Sequence, residues 1–411
     1  MTSRSFCAWL RTLSMLALLS YTVSALADCP DDRRPDRPPL AHPGEATIGV
    51  QDFQVPSRSD GRMLDISLWY PAAEANGQSA VYQDALGSGP NDPARPVIPF
   101  EFCGQAQVDA VPAGSDQPLP TVLISHGFPG SRVLLAWLGE HLASHGFAVI
   151  GINHTDATHA DRGEFADALI NKPADVMAVL DAIEEGKVGL DGAVLNDDRV
   201  GLVGYSMGGY AALVAAGAGL NPALAALPQL ADVELEPLLP TGHRADPRIA
   251  AVAALAPWGA PEALERAGLT GLSLWSAQEI ASIKTPLLLV SGDADLVSGY
   301  EQGARWLFEQ ATSPRWLLTY HLARHNIAPM PPPRLSRDFP REFNHYAEPI
   351  WDIERLNDLN RHFVLAFFRA KLQGQDTASD WLTTHHNGSP QPPGFGEREA
   401  IGFSIEQRGF D

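Results

Sequence analysis

A serine set among glycines is the feature of this sequence that most directly suggests chemistry. Residues 199–210 read RVGLVGYSMGGY, which places Ser206 in a G-x-S-x-G pattern with Gly204 and Gly208, after a strand-like apolar run. This spacing is typical of a nucleophile elbow, in which a sharp strand-to-helix turn lifts the serine hydroxyl clear of the backbone. Glycines at the flanking positions remove side chains that would clash across the turn. Because small residues suited to close helix packing follow, we interpret Ser206 as a nucleophile.

A serine hydroxyl at its ordinary pKa is a poor nucleophile, so a histidine base and a group that orients this base must accompany it. Several histidines follow the elbow, among them His321, His325 and His345. Asp293 and Asp295 follow a strand-like segment in the stretch GDADLV. His321 lies inside a strand-like segment, where we expect it to be packed. The other candidates for base and acid stay open on spacing alone.

The elements that must position these groups alternate between strands and helices. Six short apolar segments in the second part of the chain read as strands: TVLIS, FAVIGIN, RVGLVGY, IAAVAAL, PLLLVSG and WLLTYHL. Strands that are apolar on both faces and alternate with amphipathic helices indicate a parallel sheet covered on both sides, an α/β fold. Residues 47–71 predict an N-terminal antiparallel hairpin with an Asp-Gly turn. Residues 84–118 are rich in Pro, Gly and Asp and predict an irregular loop.

Composition argues against one class of partner. The chain has 411 residues, of which 45% are hydrophobic, and a formal net charge of −20 at pH 7. A nucleic-acid partner requires a basic surface that neutralises phosphates, so we expect none. The sequence does not indicate an oligomeric state.

The first 27 residues have the composition of a signal peptide. Arg4 and Arg11 give a positive start, an apolar stretch follows, and Ala25-Leu26-Ala27 matches an A-x-A cleavage site. The apolar stretch is too short to span a bilayer, so we expect cleavage after residue 27, no transmembrane anchor, and export to the periplasm or the medium. Cleavage would leave Cys29 and Cys103 in a compartment that permits a disulfide between them.

Three segments of the chain together resemble a known superfamily. ISHGFPGSR at 124–132, LASHGFAVIGINHTD at 142–156 and GYSMGG at 204–209 are similar to the serine α/β-hydrolases, and most of all to the branch of platelet-activating-factor acetylhydrolases and dienelactone-hydrolase-like esterases. The likeness runs from about residue 68 to residue 372. It implies an α/β-hydrolase fold, with a mostly parallel central sheet and helices on both faces, and a Ser-His-Asp triad.

The resemblance also implies an assignment of base and acid. His325 begins the loop after the last strand-like segment, which is where the family places its base. His345 is the competitor, since the long loop around it could fold back over the site. The stretch after PLLLVSG resembles the G-x-x-D loop of α/β-hydrolases, which makes Asp295 the acid. Asp293 is then expected to accept hydrogen bonds from loop N–H groups.

An oxyanion hole is implied by the same resemblance. Its two donors would be the backbone N–H of Met207, the residue after the nucleophile, and that of Phe128, the residue after His-Gly. Pro129 has no N–H and cannot serve. The chain departs from the acetylhydrolase pattern after the strand that follows the elbow, because Ala256 and Pro257 stand where those enzymes carry their acid.

Two other features carry weaker signals. HTDATHAD at 154–161 has the spacing of a metal site, but the resembling family has a similar segment without a metal. We therefore expect no metal and no cofactor, and a hydrogen-bonded loop at the cleft. Trp258 and Trp275 flank the segment after IAAVAAL and either line an acyl pocket or fill the core.

These observations predict an exported serine hydrolase that cleaves carboxylic esters, with a small-molecule or lipid-like ester as its substrate. Two alternatives stay open: an amidase, acyltransferase or lipid hydrolase on the same site, and a non-catalytic binding protein that keeps the fold. The predicted organisation is a leader at 28–46, a catalytic domain at 47–372 with a candidate cap at 219–246, and a C-terminal extension at 373–411.

Overall fold

One mixed β-sheet organises the computed structural model of the chain. The structure describes residues 34–75, 77–87, 93–383 and 391–410. The strands in chain order are β1 Thr47–Pro56, β2 Met63–Ala72, β3 Ser79–Leu86, β4 Ile98–Val108, β5 Leu119–Ser125, β6 Ala148–Ile152, β7 Leu195–Tyr205, β8 Ile249–Leu255, β9 Leu287–Gly292, β10 Arg315–Tyr320 and β11 Phe403–Arg408. Across the sheet they lie in the order β11-β10-β9-β8-β7-β5-β6-β2-β1-β4-β3.

The centre of the sheet is parallel, and antiparallel pairs flank it. β5 pairs in parallel with β6 and β7, and β8, β9 and β10 continue the parallel order from β7. β2 pairs antiparallel with both β6 and β1, and β11 pairs antiparallel with β10. The six parallel strands coincide with the six apolar segments, because a strand buried on both faces reads as a continuous apolar run.

Helices cover both faces of this sheet. The α-helices are α1 Ala136–Ser144, α2 Phe165–Glu184, α3 Met207–Ala215, α4 Pro261–Arg266, α5 Ala277–Ser282, α6 Arg305–Gln310, α7 Pro340–Tyr346 and α8 Ile353–Leu372. Successive side chains of a strand point to opposite faces. In β5, Leu123 therefore belongs to the core beneath α2 and α3, while Val122 and Ile124 belong to the core beneath α1 and α8.

The prediction of an irregular loop at 84–118 is wrong. β3 and β4 run through this segment and pair antiparallel, and β4 alone spans Ile98–Val108. Its sequence IPFEFCGQAQV alternates apolar and polar side chains, as expected of a strand near a sheet edge with one covered face. The Pro-, Gly- and Asp-rich stretches on either side of β4 hid this alternation.

The two segments on which we predicted a cap and an extension have distinct structures. Residues 219–246 contain three short 3₁₀ turns, and their buried leucines pack on the α3 side of the sheet. Residues 403–408, within the predicted extension at 373–411, form β11 at the edge of the sheet. The extension thus covers an edge of β10 that would otherwise expose unpaired backbone groups.

Several sequence predictions fall outside the described residues. The signal peptide at 1–27 and the first part of the leader, residues 28–33 with Cys29, lie there. Cys103 takes part in a disulfide. Because Cys29 lies outside the described residues, the pairing of these two cysteines stays a prediction. Among the helices of the described segments, none is both long enough and apolar enough to cross a bilayer.

Candidate active site

The carboxyl edge of the parallel strands brings the predicted site residues together. Ser206 lies between β7 and α3, Asp295 follows β9, and His325 follows β10. These strands run in the same direction, so the loops that leave their carboxyl ends meet at one edge of the sheet. Residues that are 119 positions apart in the chain, Ser206 and His325, are therefore in hydrogen-bond contact.

The turn at Ser206 has the geometry of a nucleophile elbow. Ser206 has φ 54° and ψ −116°, a conformation that non-glycine residues rarely adopt. The turn is so tight that a Cβ on Gly208 would lie 1.9 Å from the carbonyl oxygen of Ser125, and one on Gly204 would lie 2.2 Å from the carbonyl oxygen of Gly208. The N–H of Ser206 donates to the carbonyl of Leu255 at 2.8 Å, which ties the elbow to β8.

A continuous line of hydrogen bonds starts at the serine hydroxyl. His325 Nε2 lies 2.9 Å from Ser206 Oγ, and His325 Nδ1 lies 2.8 Å from Asp295 Oδ2. The other carboxylate oxygen of Asp295 accepts the N–H groups of Val297 at 2.7 Å and Ser298 at 2.9 Å. Each member is thus oriented by the next one, which is the arrangement that lets a histidine remove a proton from a serine.

Asp295 is buried but remains an acid that ionises easily. Burial would raise the pKa of its carboxyl group. The positive charge that His325 can carry and the hydrogen bonds from His325, Val297 and Ser298 outweigh burial, so the pKa of Asp295 lies below its ordinary value. The carboxylate therefore stays negative, and it can hold the imidazole in one tautomer and stabilise the imidazolium.

The two predicted oxyanion donors, the backbone N–H groups of Met207 and Phe128, belong to segments that adjoin the serine. Met207 begins α3, so its N–H has no partner within the helix, and the positive end of the helix dipole lies at this point. The loop that carries Phe128 lies against the elbow, because a Cβ on Gly127 would be 3.3 Å from Ser206 Cβ. That both N–H groups face the oxygen that becomes negative next to the serine stays a prediction.

A buried polar network supports the loop that carries Phe128. Lys172 Nζ donates to the carbonyl of His126 at 2.7 Å, and His126 Nε2 accepts the N–H of His154 at 3.3 Å. His154 Nε2 lies 2.8 Å from Ser125 Oγ, and its Nδ1 lies 3.2 Å from Asp175 Oδ2. Burial lowers the pKa of Lys172 and His154 and raises the pKa of Asp175 to about 6.

Sequence reasoning did not find Lys172 or Asp175. Both lie on α2, three residues apart, and both are fully buried. A lysine and an aspartate on the apolar face of an amphipathic helix are the signal that could have identified them, since charged side chains are seldom buried without a partner.

Comparison with known proteins supports the interpretation of this geometry. Residues 103–236, which include the elbow, match a family model described as PET hydrolase-like. The chain is 36% identical over 88 residues to Cutinase 2 of Thermobifida cellulosilytica, which covers 21% of this chain and 30% of that protein. It is likewise 36% identical over 88 residues to Cutinase cut1 of Thermobifida fusca, covering 21% and 25%. Dipeptidyl aminopeptidase BIII of Pseudoxanthomonas mexicana is 34% identical over 108 residues, covering 24% and 14%.

The chain is thus similar to the serine α/β-hydrolases, and to their esterase branch in particular. It spans less than a third of the length of these curated relatives. The family model ends before Asp295 and His325, so for these two residues the assignment depends on the geometry of the site.

The competing site residues have other neighbours. His345, on α7, lies next to His159 with 5.4 Å between ring centroids, and burial lowers its pKa to about 3. Asp293 accepts the N–H of Leu322 at 2.6 Å and lies 2.9 Å from His321 Nδ1. The expectation that His321 is packed is wrong: the strand ends one residue earlier, and 47% of the His321 side chain is exposed.

The segment HTDATHAD forms a hydrogen-bonded loop. Asp156 accepts hydrogen bonds from Arg62 and Asn171, and His159 Nδ1 lies 2.7 Å from the carbonyl oxygen of Gly87. In the described part of the chain, no group of three or more His, Cys, Asp or Glu side chains is placed to hold a metal ion. Asp156 and Nδ1 of His159 thus have protein partners.

Aromatic side chains line one side of the site. Phe165 lies edge-on to both Phe128 and Trp258, with ring centroids 5.7 Å and 5.0 Å apart, and 40% of Phe165 is exposed. Trp258 is tied to the elbow, because its N–H donates to the carbonyl of Ser206 at 3.0 Å. Trp275, in contrast, is buried against Tyr210 and fills the core. The rings of Phe128, Phe165 and Trp258 thus form one cluster, carried in part by segments that adjoin the serine, which we call the aromatic wall.

Proposed function

We propose that this protein is a carboxylic-ester hydrolase that works through an acyl-enzyme intermediate. Ser206 Oγ attacks the carbonyl carbon of the ester while His325 Nε2 removes the hydroxyl proton. Asp295 holds the imidazole and stabilises its positive charge. The single observation that carries this proposal is the continuous hydrogen-bonded line from Ser206 through His325 to Asp295.

The remaining steps need groups that surround this line. The N–H groups of Met207 and Phe128 would stabilise the negative oxygen of the tetrahedral intermediate. His325 then returns its proton to the alcohol oxygen, which leaves. Water, deprotonated by the same histidine, attacks the acyl-enzyme and releases the acid. We propose that this cycle uses no cofactor, and that the protein is exported, as its N-terminal sequence suggests.

The aromatic wall supports an apolar, ring-containing acyl group as the preferred substrate. Phe165 is 40% exposed and lies edge-on to Phe128 and Trp258, and such aromatic surfaces pack well against other rings. The Arg162 guanidinium lies 5.0 Å from the ring centroid of Phe128. The match to a PET hydrolase-like family model and the cutinase relatives agree with an ester substrate of this kind. The dipeptidyl aminopeptidase relative favours amide hydrolysis as a second candidate.

Two measurements on purified protein test the proposal. We expect Ser206→Ala to abolish hydrolysis of p-nitrophenyl esters, and to prevent labelling by a fluorophosphonate probe, while the circular dichroism spectrum is unchanged. More than a trace of activity in this variant would show that another group is the nucleophile. Matched ester and amide substrates separate the two candidate reactions, and a series of aryl and alkyl acyl groups reports on the aromatic wall.

A further inference from the structure

One buried carboxylate holds the loop that carries His325 from both sides. The N–H of Arg324 donates to Glu348 Oε2 at 2.8 Å, and the N–H of Asn326 donates to Glu348 Oε1 at 2.9 Å. Only 8% of Glu348 is exposed. The two oxygens of a single carboxylate therefore bind the peptide groups of both chain neighbours of His325.

The chain just before Glu348 makes a second contact with this loop, through the side chain of Asn326. The amide nitrogen of Asn326 donates to the carbonyl oxygens of Asn344 at 2.6 Å and Ala347 at 3.0 Å. From the end of β7, the hydroxyl of Tyr205 donates to the carbonyl of His325 at 3.3 Å. Tyr205 is the last residue of β7 and directly precedes the serine. Its hydrogen bond therefore connects the backbone of His325 to the strand that carries Ser206.

The loop after β10 needs such support. It has no regular backbone pairing near His325, yet the imidazole must reach a hydroxyl on one side and a carboxylate on the other. A displacement of about 1 Å in a reacting group costs on the order of 100-fold in rate. We propose that Glu348 is a positioning residue: its carboxylate fixes the backbone of residues 324–326 and thereby aims the His325 ring. This inference rests on the proposed function.

Burial raises the pKa of Glu348, against the opposing effect of the two N–H groups and of the charges near them. The titratable and charged groups that face Glu348 are Arg324 and His325 in the loop and Tyr205 from β7. A neutral carboxyl group, or its amide analogue, keeps one good acceptor oxygen and places a donor opposite the second N–H. Glu348→Gln is therefore expected to release one side of the loop without creating a cavity.

The experiment compares Glu348→Gln and Glu348→Asp with the control variant Asp352→Ala. Asp352 caps α8 by accepting the N–H groups of Glu354 and Arg355, and it does not contact the loop of the histidine. Hydrolysis of a p-nitrophenyl ester gives kcat, KM and the pH profile, and urea unfolding gives stability. We expect Glu348→Gln to lower kcat about 10- to 100-fold with KM within a factor of two, and Glu348→Asp to retain part of the rate. The Gln variant should also shift the acidic limb of the kcat profile, which loss of stability alone would not do.

The control should lose stability and keep the wild-type kcat. The inference is overturned if kcat of Glu348→Gln stays within a factor of two of wild type, or if Asp352→Ala lowers kcat as much. If the Gln variant does not fold, Glu348→Asp decides, and an unchanged kcat in that variant overturns the inference. Failure of the proposed function looks different, because wild type would then not hydrolyse the ester or Ser206→Ala would still do so.

Discussion

Asp293 and Asp295 are two residues apart and meet different requirements. Asp295 is 1% exposed and contacts His325, whereas Asp293 lies nearer the surface and binds the N–H of Leu322 and the ring of His321. Each carboxylate orients a histidine, but only one of these histidines reaches the serine hydroxyl. The two aspartates therefore allow a matched comparison of a triad acid with a loop-stabilising acid.

We expect Asp295→Asn to lower kcat by about 10⁴-fold, because an amide does not hold the imidazole in the tautomer that removes the serine proton. Asp293→Asn should keep kcat near wild type and mainly lower the unfolding temperature. Initial rates with a p-nitrophenyl ester and thermal unfolding of both variants make the comparison. The opposite pattern in the two variants would mean that the acid of the triad has been assigned to the wrong residue.

At the scale of single residues, local patterns were informative and long-range contacts were not. Ser206 lies in a motif that requires glycines two positions before and after it, so the adjacent sequence predicts the tight turn around it. Lys172 contacts a carbonyl 46 residues away, and Glu348 contacts N–H groups 22 and 24 residues away. Such contacts depend on how the chain folds, and no spacing rule predicts them.

At the scale of elements, α2 supports the loop after β5, which carries the proposed oxyanion donor Phe128. Lys172 reaches from this helix to the carbonyl of His126, two residues before Phe128. Asp175, one turn further along the helix, holds His154 and the N–H of Thr155. Two polar side chains of one helix thus hold both the loop after β5 and the loop after β6, and the loop after β5 carries a proposed oxyanion donor.

Lys172→Met should lower both stability and kcat. Methionine fills a similar volume but leaves the His126 carbonyl without its donor, which costs about 1–3 kcal/mol in the free energy of unfolding. A shift of the Phe128 N–H should also lower kcat, by at most the roughly 100- to 1000-fold that loss of one oxyanion donor causes. Lys284→Met, at an exposed lysine, is the control for loss of charge. Equal kcat values for the two variants would show that Lys172 on α2 does not contribute to catalysis.

Periodicity predicted the central elements well and the edges poorly. The parallel strands β5 to β10 are short and apolar, because both of their faces are buried and accept mainly apolar side chains. β4 and β11 lie on the flanks of the sheet, where one face or one edge meets solvent and polar residues are tolerated. Their sequences are less distinctive, and only pairing with a neighbouring strand identifies them.

At the scale of the whole molecule, His362 joins three distant parts of the chain. It lies fully buried on α8, and its Nδ1 accepts the N–H of Leu40 at 3.2 Å. Its ring packs edge-on against Trp381 and Phe395 from the C-terminal segment, with centroids 5.4 Å and 5.0 Å apart. A neutral imidazole is required here, because Nδ1 can accept this hydrogen bond only without a proton.

Burial lowers the pKa of His362 to about 3, so this residue should make the fold sensitive to acid. The unfolded chain binds a proton at this histidine below about pH 6.5, whereas the folded chain does not until about pH 3. Stability from this residue is therefore complete above about pH 6.5 and declines as the pH falls, by about 2 kcal/mol at pH 5. His362→Gln keeps an acceptor for the Leu40 N–H but does not titrate. Urea unfolding at about pH 7.5 and pH 5 should show a smaller loss of stability for the variant than for wild type. Equal losses in the two proteins would show that the imidazole of His362 is protonated as readily in the folded chain as in the unfolded one.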